Sequence, residues 1–165
     1  MGDWNDFFLA GAGAAAALTG LVFVSLSINL EKILSDPSAG STGRAAEALI
    51  LLVAVLTASL LLLVPGQGTG LLGAEVLAVG IVAWAGVLAT QAIRLRGWRA
   101  MERALRGAFV VRVALGQAAT LPFVAAGVAV LGWGTGGLYL LATGMVFSIL
   151  VALLGAWVLL VEINR

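Results

Sequence analysis

The sequence contains, from Val113 to Val161, the uncharged stretch VALGQAATLPFVAAGVAVLGWGTGGLYLLATGMVFSILVALLGAWVLLV. A helix that spans a membrane needs about 20 apolar residues, so this stretch is too long for one crossing. Glycines interrupt it at 132–137, where the sequence GWGTGG favours the end of one helix and the start of another. The stretch therefore predicts two crossings joined by a short turn.

Three further uncharged stretches precede it, at Phe7–Leu30, Ala48–Ala74 and Val76–Ile93, and each predicts one more crossing. We expect an all-α polytopic membrane protein, a single transmembrane domain over residues 1–165 with five transmembrane helices. The expected spans cover about 7–29, 44–64, 71–93, 107–131 and 138–163, with cytoplasmic loops at 31–43 and 94–106. With 62% hydrophobic and 10% charged residues, the chain leaves no stretch for a soluble module.

The basic residues predict how the chain is oriented. All nine lie in three places: between spans 1 and 2, between or just inside spans 3 and 4, and at the C-terminus. Five crossings put these places on one face, and Lys and Arg in short loops mark the cytoplasm. The acidic start MGDWND lacks the positive region of a cleaved signal peptide. We therefore expect a multi-pass protein of a bacterial inner (plasma) membrane, with the N-terminus outside and the C-terminus inside.

Span 1 carries a stripe of small residues. Gly13, Ala17, Gly20, Val24 and Ser27 follow 4-3-4-3 spacing along one side of a helix. In a membrane such a stripe indicates close approach of another helix. Polar side chains near the inner end have two interpretations, interhelical hydrogen bonds or the lining of a wet passage. Since five spans enclose little space, a pore requires several copies around an axis. The candidate lining residues are Gly13, Ala17, Gly20, Ser25, Ser27 and Asn29.

The loop after span 3 carries a basic stripe. Arg96, Arg99, Arg103 and Arg106 are spaced 3-4-3, so a helix would align them. One interpretation is an orientation signal that also contacts anionic lipid headgroups at the cytoplasmic face. The other is a cationic vestibule that concentrates anions at a pore mouth. A voltage sensor is disfavoured, because these arginines follow the span instead of lying within it.

Arg112 lies about 9 Å inside span 4 if the helix starts at Arg106. Its side chain either extends back to the interface or forms an intramembrane ion pair with Glu47 or Glu162. Both carboxylates are expected at a similar depth. The sequence leaves these alternatives open.

The chain has no cysteine and no histidine, which excludes thiolate chemistry and imidazole ligation. Serine hydrolysis with a His base, a His-Glu-x-x-His zinc site and a phosphate-binding Gly-rich loop with Lys are missing. We expect no enzyme activity, no cofactor, no metal site and no nucleic-acid partner. A secondary transporter is disfavoured, because five spans do not form two equal halves and the midplane lacks an acidic residue.

Three segments carry a family resemblance: AGAGAAAALTGLVFVSLSINLEKI from Ala10, RAAEAL from Arg44 and LVPGQ from Leu63. They resemble a family of small actinobacterial integral membrane proteins that are described as channel-like and whose function is unsettled. The resemblance covers roughly the first 70 residues, and beyond them only the topology is similar. It implies a homo-oligomer, with a pentamer as the candidate stoichiometry and span 1 near a central axis.

These features lead to two expected functions. The first is a channel-like homo-oligomer whose axial pore passes small ions or solutes, with a weak anion preference from the arginines. The alternative is a non-conducting scaffold or accessory subunit that modulates another membrane protein or binds anionic lipid.

Overall fold

The computed structural model describes residues 2–28, 41–95 and 103–163, and these residues are almost entirely helical. The α-helices are α1 (Gly2–Ile28), α2 (Ser41–Leu62), α3 (Thr69–Leu95), α4 (Arg103–Trp133) and α5 (Leu138–Ile163). A short 3-10 helix, Gly134–Gly137, joins α4 to α5. The expected all-α class is confirmed for the described part of the chain, which contains no strand.

The helices extend beyond the apolar spans that the sequence predicts. α2 starts at Ser41, inside the expected loop 31–43, and α3 continues to Leu95. A charged residue ends an apolar span, but Arg and Glu are good helix formers, so the helix itself continues. Residues 29–40 and 96–102, which make up most of the two expected loops, lie outside the described residues.

Within the described residues, four continuous helical segments are long and apolar enough to cross a membrane: Trp4–Ile28, Thr42–Leu62, Thr69–Leu95 and Arg106–Trp157. The fourth segment contains both α4 and α5. Ser148 of α5 donates a 3.0 Å hydrogen bond to the carbonyl oxygen of Ala119 in α4. Gly144 packs on Pro122, and Gly137 packs on Val130. Contact positions advance along α5 as they recede along α4, so the segment is an antiparallel helical hairpin.

Turns with left-handed glycines join neighbouring helices. Gly66, between α2 and α3, has φ +79°, and Gly134, at the start of the 3-10 helix, has φ +71°. A Cβ atom disfavours this backbone region, whereas glycine adopts it freely. The glycine-rich segments at 65–70 and 132–137 therefore reverse the chain within a few residues.

Neighbouring helices run in opposite directions, so helix starts and helix ends occur together at each of the two ends of the bundle. We call one the N-end, where Phe8, Leu62, Leu72, Val130 and Leu138 form a buried cluster. At the other, the C-end, Val22, Leu51, Val87, Ala119 and Ala152 form a second cluster. α1 begins at the N-end and α5 finishes at the C-end.

The backbones of α3 and α4 are in close contact at glycine positions. A Cβ atom on Gly127 would lie 2.6 Å from the Cα and N atoms of Leu77. A Cβ atom on Gly80 would lie 2.8 Å from the backbone N of Val124. Small residues of this kind let helix backbones approach in membrane proteins. The two backbones can reach this separation only because these positions carry no side chain.

Replacing Gly127 by Ala should lower the melting temperature of the protein in detergent. The new methyl group would meet the backbone of Leu77, which cannot rotate away, and overpacking typically costs about 1–3 kcal/mol. Gly107→Ala is the matched control in the same helix, because nothing lies within 4 Å of its Cβ position. Both changes raise helix propensity, so equal melting temperatures for the two variants would contradict the close approach.

Candidate functional site

The small-residue stripe of α1 faces away from the bundle. Gly13, Ala17 and Gly20 are exposed, and no atom lies within 4 Å of a Cβ position on Gly13 or Gly20. Ala15 and Val22, on the opposite side of the same helix, are buried. We define the α1 outer face as Gly13, Ala17, Gly20, Val24 and Ser27, which are all exposed.

The polar residues predicted beside this stripe are not all on the α1 outer face. Ser27 is exposed, and its hydroxyl donates a 2.9 Å hydrogen bond to the carbonyl oxygen of Phe23 in its own helix. Ser25 is half-buried, so it lies on a different side of α1 from Gly20. Asn29 lies outside the described residues. The structure therefore brings four predicted lining residues onto one surface: Gly13, Ala17, Gly20 and Ser27.

Arg112 forms an ion pair inside the C-end half of the bundle. Its Nε lies 2.6 Å from Oε2 of Glu47, and the two side chains are only 18% and 11% exposed. The hydroxyl of Thr90 lies 3.0 Å from the other carboxylate oxygen of Glu47 and 2.8 Å from the carbonyl oxygen of Val87, and its single hydrogen is shared between these acceptors. The group thus joins α2, α3 and α4. Of the two carboxylates considered for Arg112, Glu47 is in contact with it; the side chain of Glu162 lies outside the described residues.

A second polar chain runs beside the ion pair. The indole Nε1 of Trp84 donates to Oε1 of Gln117 at 2.7 Å, and Nε2 of Gln117 donates to Oε1 of Gln91 at 3.0 Å. An indole N–H can only donate, so the Gln117 atom that it contacts is the amide oxygen. The amide nitrogen of Gln117 then donates to the amide oxygen of Gln91, and Nε2 of Gln91 remains as a further donor. That atom is buried and has no hydrogen-bond partner among the described residues. It lies against Gly116, where a Cβ atom would be 2.6 Å away.

A cavity of about 340 Å³ lies at the C-end among α2, α3, α4 and α5. Its charged lining consists of Arg44, Glu47, Arg94 and Arg112. Its remaining lining is apolar or small: Ala48, Leu51, Val87, Ala108, Phe109, Val111, Leu115, Gly116, Val151, Leu154 and Gly155. This volume is within the range of small-molecule pockets, which are mostly apolar with a few placed polar groups.

The predicted arginine stripe contributes little to the described structure. Arg96 and Arg99 lie outside the described residues, as does the side chain of Arg103 at the start of α4. Arg106 is half-buried and does not line the cavity. Sequence reasoning instead missed a second set of arginines. Arg44 and Arg94 belong to different helices, and no spacing in the sequence groups them with Arg112.

Thr90, Gln91 and Gly116 were also missed as site residues. A Thr-Gln pair within an apolar segment is a detectable signal, because buried polar groups need hydrogen-bond partners. The partner of each could not be read from the sequence. Within the described parts of the chain, no group of three His, Cys, Asp or Glu residues is arranged to hold a metal ion.

Comparison with known proteins adds no relative. No protein-family model, no curated protein and no solved structure matches this chain.

Arg112→Leu should lower the melting temperature in detergent, because it leaves the buried Glu47 carboxylate without its cation. Removing one partner of a buried pair typically costs about 3–5 kcal/mol. Glu47→Leu should have a similar effect, and the double variant should recover much of the loss. Arg106→Leu, which removes a cation from the same helix outside the cavity, is the control. Single losses that simply add in the double variant would show that the pair has no energetic coupling.

Proposed function

We propose that the chain crosses a bacterial plasma membrane five times, with its N-terminus outside and its C-terminus in the cytoplasm. The hairpin of α4 and α5 supports five crossings, since it divides the longest apolar segment into two antiparallel helices. Charge supports the orientation, because basic residues in short cytoplasmic loops set topology. The C-end carries the cations Arg44, Arg94, Arg106 and Arg112, whereas Asp6 and Glu75 lie at the N-end.

Aromatic side chains support an interface at the N-end. The rings of Trp4 and Tyr139 meet edge to face with centroids 4.8 Å apart, and Trp4 also stacks on Phe8. Phe7 completes the cluster. Trp and Tyr concentrate where a membrane protein passes from hydrocarbon to water. The cluster thus suits the outer boundary of the membrane.

We further propose that copies of the chain assemble around an axis, with the α1 outer face directed towards that axis. The observation that carries this proposal is the exposure of Gly13, Ala17 and Gly20; among the described residues, no other helix lies within 4 Å of a Cβ position on either glycine. Lipid tails gain little from contact with small residues, so this face suits the interior of an oligomer better than the lipid phase. A ring of copies about one axis would bring these faces together. A pentamer is the candidate stoichiometry that the family resemblance implies.

Such a ring forms a channel-like passage for small ions or solutes. Gly13, Ala17 and Gly20 would line its wider part, and Ser27 would present a hydroxyl near the cytoplasmic mouth. Val24, which is 56% exposed, is the large apolar residue in this face. A ring of Val24 side chains would be the narrow point, where an apolar constriction gates by excluding water. Arginines at the C-end would give the passage a weak preference for anions.

Single cysteines test the topology, since the natural chain contains none. Asn5→Cys and Thr69→Cys at the N-end should react with a membrane-impermeant maleimide in intact cells. Thr42→Cys and Gly107→Cys at the C-end should react only after the cells are permeabilised. All four positions are exposed. Labelling of both ends from the same side would exclude five crossings.

Liposome flux tests the passage. The purified protein should have the mass of an oligomer in mild detergent and should conduct chloride when reconstituted. Gly20→Leu should reduce the flux by filling the α1 outer face, and Val24→Ser should increase it by wetting the narrow point. Ala125→Leu, at an exposed position of α4, is the control that adds the same bulk elsewhere.

Two outcomes separate this function from its alternative. A stable monomer in detergent would remove the axial passage. An oligomer with no flux in any variant would instead favour a non-conducting accessory subunit.

A further inference from the structure

The deep part of the C-end cavity is lined by aliphatic side chains from four helices. Leu51 on α2, Val87 on α3, Leu115 on α4 and Val151 on α5 all line it. Leu51 and Val87 are almost completely buried, so they belong to the interior of the bundle. This part of the cavity therefore has hydrocarbon walls on all four of its helices.

The charged side chains of the lining have interactions within the chain. Glu47 pairs with Arg112, and Arg44 and Arg94 each interact with other groups of the protein. Arg44 precedes Leu51 by seven residues on α2, or about 10 Å along the helix axis. The lining therefore sets no requirement for a charged occupant, and its aliphatic part lies deeper than its charged part.

The size and the walls of the cavity favour a hydrocarbon occupant. Its volume of about 340 Å³ is about twice that of an engineered apolar cavity of about 150 Å³, which stays dry and binds benzene. Water in the aliphatic part would lack hydrogen-bond partners on the walls, and a void there would lose van der Waals contacts. A flexible alkyl chain makes those contacts and brings no polar group.

The cavity reaches the outer surface of the bundle between α4 and α5. Val111 on α4 and Leu154 on α5 line it, and each is 58% exposed. The surface beside them is also aliphatic, because Val110 and Leu150 are exposed. Lipid tails are as apolar as leucine, so in a membrane an acyl chain at this opening can enter without leaving an apolar environment.

We propose that this cavity holds one acyl chain of a membrane lipid. The chain enters between Val111 and Leu154 and extends along Leu51 and Val87. The headgroup stays at the membrane surface, so the cavity recognises the chain and not the charge of the headgroup. The site requires a membrane around the bundle, but it depends neither on the orientation of the bundle nor on conduction.

Native mass spectrometry of the purified full-length protein in neutral detergent tests lipid retention. The probes are dioctanoyl phosphatidylcholine and dioctanoyl phosphatidylglycerol, which have the same chains and differ in headgroup charge. Gly155→Phe should abolish one bound copy of either lipid by filling the cavity; no atom lies within 4 Å of its Cβ position, so the ring meets open space. Gly132→Phe at the N-end has equally open surroundings and should retain the lipid.

A tethered chain tests the same site without a headgroup. The natural chain has no cysteine, so Gly155→Cys carries a single thiol in the cavity lining. Its thiolate attacks the sulfenyl sulfur of octyl methanethiosulfonate, which forms a disulfide and releases methanesulfinate. The tethered octyl chain then has a high effective concentration at the cavity. We expect this adduct to melt at a higher temperature than the methyl adduct, because the octyl chain fills the void. The two adducts of Gly132→Cys should melt at the same temperature.

Several results would overturn the proposal. Retention of both lipids by Gly155→Phe, or of neither by the unaltered protein, would show that no chain occupies the cavity. Loss of phosphatidylglycerol alone would show that a charged headgroup is recognised instead of a chain. Equal melting temperatures for the octyl and methyl adducts of Gly155→Cys would show the same as retention, and they still test the proposal if Gly155→Phe fails to fold. None of these results depends on flux or oligomer mass, so failure here is distinct from failure of the channel proposal.

Discussion

The close contact between α3 and α4 sets the geometry on which the polar interior depends. Gly80 and Gly127 let the two backbones meet directly, and that separation sets which side chains face one another further along. Towards the C-end the same helix pair brings Gln91 against Gly116 and Thr90 near the Glu47–Arg112 pair. A wider separation would leave these polar groups apart in an apolar bundle, where unmet hydrogen bonds are costly.

Two networks of polar side chains lie in the C-end half of α2, α3 and α4. The ion pair and the Trp84–Gln117–Gln91 chain both lie there, and the cavity adjoins them. α1 contributes no residue to the cavity, and its outer face is made of small and apolar residues. The two features therefore belong to different helices. The assembly proposed for α1 therefore concerns residues separate from those that line the cavity.

The described C-end also explains how a charge at depth is accommodated. Arg112 lies within a helix that is apolar on both sides of it, and an isolated guanidinium there would be costly. Contact with Glu47 pairs this guanidinium with a carboxylate, and the hydroxyl of Thr90 lies 3.0 Å from the second carboxylate oxygen. The arrangement also places a paired guanidinium group in the lining of the cavity.

Sequence reasoning predicted the helical class and located the helices well. Uncharged stretches and glycine-rich turns are local signals, and α4, the 3-10 turn and α5 follow directly from the stretch that starts at Val113. The small-residue spacing on α1 likewise identified one surface of a helix. Helix ends were less accurate, because charge marks the end of an apolar span and not the end of a helix. Of the arginine stripe, the side chain of Arg106 is described and does not line the cavity, whereas Arg44, Arg94 and Arg112 line it.

By itself, the sequence determined that the chain is helical and apolar, where its turns lie and which residues share a face of one helix. These properties depend on residues close together in the chain. Only the tertiary structure decided that Arg112 meets Glu47, that Gln91 lies against Gly116, and that Arg44 and Arg94 line one cavity. Those contacts depend on how packed helices are rotated and how far apart they lie. Both properties depend on glycine positions in two helices together, and the spacing of residues within one helix does not indicate them.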